Sequence, residues 1–217
     1  MPIPNPSLAA ASHLFLARIA SATRGSRAVD LSTGGPPGLA NREWINGAYL
    51  TTLARNHGEG LSAATLSAIQ TRAAAWPLAH ASKAAFDHWH SGEITALSHL
   101  VAHHDPTAFW SYGRAQKFIN ILLKYACTSF HSGLPHFATY HARNPGIGAM
   151  TPWLHAPVDS YTLKHAASLP GGTSGWRYLA WSKMLMPRHY SSIQAALVAA
   201  SATKGISPIH YEMVFVW

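Results

Sequence analysis

The stretch from Tyr112 to Tyr125, YGRAQKFINILLKY, constrains the fold more than any other part of the sequence. Its apolar residues recur at helical spacing, which places Phe118, Ile121 and Leu122 on one face of a helix. We expect this helix to run from about residue 114 to residue 130, after a tight turn at Gly113, because glycine adopts backbone angles that other residues avoid. Lys117 would then lie in the first turn, where a cation faces the positive end of the helix dipole. Such a lysine has either a solvated role or a special one.

The rest of the sequence predicts an all-α protein with about nine or ten helices, because no segment alternates between apolar and polar residues with a period of two. Helix starts are predicted from capping residues and from a proline at the first helical position. These are Ser7, Asn41, Ser62, Asp159, and Ser207 followed by Pro208. Further helices are expected near 81–90, 93–103, 174–185 and 189–203.

Residues 131–157 contain several prolines and glycines and no clear period, which predicts one long loop. With 217 residues the chain is long enough for a single globular unit with a substantial core. That unit could consist of two helical subdomains, about 1–105 and 106–217, with an active site between them.

The charge of the chain is concentrated in its second half. From residue 106 onward there are nine basic and two acidic residues, a net charge of +7, whereas residues 1–105 carry a net charge of +1. Such an asymmetry indicates a polyanionic partner, most simply a nucleic acid, although a basic composition alone would give the same count.

Several classes of protein are disfavoured by the composition. The single cysteine, Cys127, excludes an internal disulfide framework and a cysteine-rich zinc site. No apolar run approaches the roughly 18–20 residues that a membrane span needs, and the N-terminal segment lacks the basic start of a signal peptide. We therefore expect a cytoplasmic protein that does not bind a membrane.

Two residues in the basic half have the right chemistry for catalysis. Asp159 follows Pro157 and Val158 at a predicted helix start, where the backbone N–H groups and the helix dipole favour its ionised form; its alternative role is simply to cap the helix. Lys117 could act as an amine nucleophile that forms a Schiff base, or it could contact phosphate or solvent. These two residues are 42 positions apart, so their spacing alone does not bring them together.

The order of these elements resembles the helix-hairpin-helix DNA glycosylases, most of all the 8-oxoguanine DNA glycosylases of the archaeal type. The resemblance covers about residues 109–217 and rests on the glycine-bearing turn, the helical lysine, the Pro-Val-Asp cap and the segment from Ile206 to Glu212. It implies that Lys117 is the nucleophile, Asp159 the catalytic carboxylate and Glu212 a base-pocket residue, with Trp217 as a weaker candidate for stacking on the base.

The sequence also departs from that family. The usual hairpin loop is replaced by FWSYG at residues 109–113, and the interval from Lys117 to Asp159 is longer than expected. The resemblance implies a monomeric enzyme that needs no cofactor, flips a modified base out of double-stranded DNA and works in a bacterial or archaeal nucleoid. Its substrate would be an oxidised purine or a hypermodified phage base, such as a glucosylated hydroxymethylcytosine, in repair or in phage defence.

Residues near the two catalytic candidates provide further expected contacts. We expect aromatic side chains to stack on the flipped base or to wedge into the duplex, although each of them could instead pack in the core. These are Trp110, Tyr112 and Trp153. We expect DNA phosphates to be bound by Gly113, Arg114, Lys124 and Arg143.

Other functions stay open at this point. The fifteen histidines show no zinc-binding spacing, so we expect no metal site. A non-catalytic helical module that binds nucleic acid, or a helical ribonuclease or toxin, would have the same basic half.

Overall fold

The computed structural model describes residues 7–20, 42–53, 62–106, 110–132, 142, 144–184 and 186–216. This part of the chain is helical without any strand, and it confirms the all-α class with ten α-helices. The helices are α1 Leu8–Ala20, α2 Arg42–Leu53, α3 Ala63–Ala74, α4 Lys83–His104, α5 Tyr112–His131, α6 Gly146–Met150, α7 Ser160–Ala166, α8 Trp181–Met184, α9 Pro187–Ala202 and α10 Pro208–Tyr211. Two 3₁₀ turns lie at Thr151–Trp153 and Ser174–Tyr178, and a π-helical turn follows α10 at Glu212–Val216.

The predicted capping residues start their helices as expected. The Ser62 hydroxyl accepts a hydrogen bond from the Thr65 N–H, and the Ser207 hydroxyl accepts one from the His210 N–H. The Ser7 hydroxyl does the same for the Ala10 N–H. Asn41 lies outside the described residues. Local sequence therefore determines where these helices begin.

Three predicted boundaries are wrong. The helices expected near 81–90 and 93–103 form the single helix α4, because the glycine between them, Gly92, weakens a helix without ending it. The long loop contains α6 and a 3₁₀ turn, so its second part is helical. The helix expected near 174–185 is divided into a 3₁₀ turn and α8 by Leu179, whose backbone is extended.

Helix α5 lies at the centre of the molecule and contacts α1, α2, α4, α6 and α8. Its residues from Ala115 to Ser129 are all buried, so the helix is enclosed on every side and not only along the predicted apolar face. It begins at Tyr112, because the Ser111 hydroxyl accepts a hydrogen bond from the Arg114 N–H at 3.2 Å. Gly113 therefore lies inside the first helical turn, and Lys117 lies in the second turn.

The buried apolar residues form two clusters. One contains residues from 44 to 154 together with Ile209, and the other contains residues from 156 to 211. Tyr112 packs against both clusters. Helix α5 thus belongs with the elements before it, and the division into subdomains near residue 105 stays a prediction. Within the described ranges, no helix is long and apolar enough to cross a membrane.

Candidate active site

Asp159 is the N-cap of α7, as its position after Pro157 and Val158 predicts. Its Oδ1 accepts hydrogen bonds from the N–H groups of Tyr161 at 2.9 Å and Thr162 at 3.1 Å. These bonds satisfy two of the N–H groups that have no partner within the first turn of the helix. The cap uses one carboxylate oxygen and leaves Oδ2 to face α5.

The side chain of Lys117 meets this second oxygen. The Lys117 Nζ lies 3.1 Å from the Asp159 Oδ2, and both side chains are less than a tenth exposed. Helix α5 supplies the amine and the start of α7 supplies the carboxylate. The structure thus brings together the two catalytic candidates that are far apart in the sequence. A buried carboxylate next to an amine can accept a proton from it, which is the arrangement that an amine nucleophile requires.

Trp181, at the start of α8, covers the amine. The Lys117 Nζ lies 4.7 Å from the centroid of the half-buried indole ring, at a distance typical of a cation–π contact. The adjoining segment is fixed to α5, because the Ser111 hydroxyl donates to the Ser182 carbonyl at 2.5 Å. The Trp181 ring therefore covers one side of the Lys117 amine.

A second buried ion pair lies two turns further along α5. The Lys124 Nζ is 2.5 Å from the Glu212 Oε2, and it also lies 4.0 Å from the centroid of the Phe15 ring. Burial lowers the pKa of Lys124, and the Glu212 carboxylate opposes that shift. Lys124 is 2% exposed, so the prediction that it contacts a DNA phosphate is wrong. Glu212, the predicted base-pocket residue, has Lys124 as its charge partner.

The predicted aromatic residues lie on or near the core. Trp110 is buried, with its ring stacked on Tyr49 and edge-on to Phe118, which corrects the prediction that it stacks on a base. Tyr112 and Trp153 are partly buried and pack against the first apolar cluster. Burial raises the pKa of Tyr112 to about 12, so its hydroxyl stays protonated.

Four predicted contact residues remain, and two of them lie in the described part of the chain. Gly113 is buried inside α5, where a surface phosphate cannot reach it, so that prediction is wrong. Arg114 is half-buried in the first turn of α5, and burial lowers the pKa of its guanidinium group. Arg143 and Trp217 lie outside the described residues.

The histidines do not gather around a metal position in the described part of the chain, where no group of three or more His, Cys, Asp or Glu side chains could hold an ion. Five of the described groups instead form a hydrogen-bonded chain between the surface and α5. In order, its members are Asp87, His155, Tyr190, Asn120 and His90. Burial alone would raise the pKa of Asp87, but hydrogen bonds from His155 and Lys83 outweigh it and lower the pKa to about 2.

Four residues of this region were not predicted from the sequence. Trp181 has no local signal, since it belongs to a segment with little periodicity. Gln116 and Asn120 do have one, because two amides four residues apart share a face of a helix that is otherwise mostly apolar. Gln194 is a similar polar residue on the apolar face of α9.

No family model, no curated protein and no solved structure matches this chain.

Proposed function

We propose that this protein is a DNA N-glycosylase that flips a damaged or modified base out of the duplex and cleaves its bond to deoxyribose. The observation that carries the proposal is the buried pair of Lys117 and Asp159, with 3.1 Å between its amine and its carboxylate. The pair supports the resemblance to helix-hairpin-helix DNA glycosylases, since these are the two residues to which the resemblance assigns the chemistry.

The proposed reaction uses both side chains at the sugar carbon C1′. As the bond from C1′ to the base breaks, its electron pair leaves with the base, which takes a proton from solvent. The Asp159 carboxylate stabilises the positive charge that grows on the sugar. As the amine then attacks C1′ and removes that positive charge, Asp159 accepts a proton from the Lys117 ammonium, which frees the nitrogen lone pair to form the bond.

This covalent route accounts for a second activity. After the amine has bonded to C1′, its nitrogen passes a proton to O4′ as the C1′–O4′ bond breaks, and a protonated imine forms. A C2′ proton of this Schiff base then passes to solvent, a double bond forms between C2′ and C3′, and the 3′ phosphate leaves with the electron pair of its bond, which would cleave the strand. If water attacks C1′ instead, the product is an intact abasic site.

The surface charge supports DNA as the partner. Asp159 and Glu212 are the only acidic residues after Asp105, and both are buried in ion pairs. Five basic residues of the same half are exposed: Lys164, Arg177, Lys183, Arg188 and Lys204. The described surface of the C-terminal half therefore carries cations without side-chain carboxylates, which favours contacts with phosphates.

We propose an oxidised purine or a bulky hypermodified base as the substrate, since the resemblance implies these two classes. Glu212 would belong to the wall of the base pocket, with its carboxylate paired with Lys124. The protein would serve in repair in the first case and in phage defence in the second.

The test is base release from a panel of duplexes, including DNA with 8-oxoguanine and phage DNA with glucosylated hydroxymethylcytosine. We expect release from at least one of them and, with borohydride, a covalent adduct that maps to Lys117. The adduct should be absent in Lys117→Arg and present in the matched surface variant Lys164→Arg. Tight DNA binding without release from any duplex would overturn the enzyme proposal in favour of a binding module. An active protein that gives no adduct would limit Lys117 to a positioning role.

A further inference from the structure

The residues that precede Asp159 are buried although they belong to no helix. Ala156, Pro157 and Val158 are buried, and they contact side chains of α5 and α9. Such a segment normally exposes its backbone N–H and C=O groups to water, because buried backbone groups need partners. The described part of the chain contains no strand that could provide them.

Side chains provide every one of these partners. Gln194 of α9 accepts from the Ala156 N–H at 3.1 Å and donates to the Ala156 carbonyl at 2.7 Å. Gln116 of α5 accepts from the Val158 N–H at 3.2 Å and donates to the Val158 carbonyl at 2.8 Å.

The one backbone polar group between these two pairs of hydrogen bonds, the carbonyl of Pro157, also has a side-chain partner. The Pro157 carbonyl accepts from the Thr162 hydroxyl at 2.7 Å, and proline has no N–H group. The Asn120 amide nitrogen lies 3.3 Å from the Ala156 carbonyl oxygen and 3.1 Å from the Gln116 Oε1, so it connects the two ends, with its two hydrogens shared among these oxygens and the Tyr190 hydroxyl. All five backbone polar groups of the segment are thus hydrogen-bonded to side chains.

We propose that Gln116, Asn120 and Gln194 are positioning residues, an amide clamp that holds residues 156–158 so that the Asp159 carboxylate meets the Lys117 amine. This inference rests on the proposed function. Gln116 lies next to Lys117 in the chain, and Val158 lies next to Asp159, so the bond pair between Gln116 and Val158 fixes the two reactive side chains relative to each other. Gln194 ties the far end of the segment to α9.

The clamp can be tested by a substitution that breaks one of its hydrogen bonds at high pH and restores that bond at low pH. A protonated glutamic acid has the same shape as glutamine, with one donor and one acceptor, whereas a carboxylate has only acceptors. In Gln194→Glu, the hydrogen bond to the Ala156 carbonyl therefore forms when the carboxyl is protonated and is lost when it ionises, because two acceptor oxygens then face each other. Gln194→Met keeps the volume and loses both bonds at every pH. Gln70→Glu, at a half-buried position on α3, is the control for introducing a titratable carboxyl group in place of an amide.

Activity is compared with wild type at each pH between 5 and 8, as the rate of base release with DNA saturated by protein. We expect Gln194→Glu to be at least ~10-fold slower at pH 8 and to approach the wild-type rate at pH 5, since a small misplacement of reacting groups is costly. Gln194→Met should be slow throughout, and Gln70→Glu should match wild type. A rate ratio for Gln194→Glu that does not change with pH, or a wild-type rate for Gln194→Met, would overturn the clamp.

A second readout does not depend on the proposed function. Acetylation of lysines at pH 8, mapped by mass spectrometry, measures the protection of the Lys117 amine, with exposed Lys164 as internal reference. We expect Lys117 to be modified several-fold faster in both Gln194 variants than in wild type and Gln70→Glu. Equal protection in all four proteins would refute the clamp even if no base is ever released. Faster modification without base release from any DNA would refute the enzyme and leave the clamp standing.

Discussion

His90 is a fully buried histidine next to α5, and its surroundings keep it neutral. Its Nε2 donates to the Asn120 Oδ1 at 2.7 Å. Burial, reinforced by the nearby His155, lowers the pKa of His90 from 6.5 to about 3. Between these two values the unfolded chain binds a proton that the folded protein does not bind.

We therefore predict that the stability of the protein falls as the pH drops from about 6.5 towards 3, because protons favour the unfolded state in that window. The full contribution of His90 is on the order of 5 kcal/mol. Gln in place of His90 keeps a donor for Asn120 and cannot titrate, so His90→Gln should flatten this dependence. Urea unfolding between pH 4.5 and 6.5 measures the slope, and the range avoids the titration of Asp87. An exposed control, His103→Gln, should keep the wild-type slope; an unchanged slope in His90→Gln would contradict the assignment.

Asp159 shows which contacts of a single residue the local sequence determines and which it does not. Asp159 caps its helix because a carboxylate at that position meets free N–H groups, whatever the rest of the chain does. Its contact with Lys117 is different, since it depends on how α5 and α7 pack. Sequence alone therefore supports the cap, and only the fold provides the ion pair.

Helix α5 lies in the core although it contains several polar residues, and for this reason its burial was hard to predict from the sequence. Lys117, Gln116, Asn120 and Lys124 would ordinarily mark the solvent face of an amphipathic helix. Their hydrogen-bond and ion-pair partners outside α5 lie 30 to 88 residues away in the sequence. Because those partners satisfy the polar groups inside the protein, the helix is buried on all sides and its polar face is not a surface.

The ion pair between Lys124 and Glu212 gives a prediction at the scale of elements, since it joins α5 to the C-terminal turn. Glu212→Gln should destabilise the protein by about 3–5 kcal/mol, because it leaves a buried ammonium without its counter-charge. The double variant Lys124→Met with Glu212→Leu should recover most of that loss, since buried ion pairs are often replaceable by apolar side chains. Urea unfolding at pH 7 measures both. A loss below about 1 kcal/mol in Glu212→Gln would mean that the pair is hydrated and not buried as described.

For the molecule as a whole, the all-α class and the concentration of basic residues in the second half could be read from the sequence. The packing of the helices against one another could not. Helical periodicity and capping residues are local, so the all-α class and most helix starts followed from them. The enclosure of α5, the division of the core into two clusters and the covering of Lys117 by Trp181 depend on packing between distant segments. Both carboxylates of the second half are buried in ion pairs, whereas five of its basic side chains are exposed. The described surface of this half is therefore positively charged.

The central claim is that the buried carboxylate of Asp159 stabilises positive charge at the sugar of a bound nucleotide. Asp159→Asn tests it most directly, because asparagine also caps helices, so the helix start is kept while the charge and the ion pair with Lys117 are removed. The measurement is base release in a single turnover, together with DNA affinity and a thermal unfolding curve for the variant. We predict that release falls at least ~100-fold while DNA affinity stays within about threefold of wild type. Release at the full wild-type rate by a folded Asp159→Asn protein would contradict the claim.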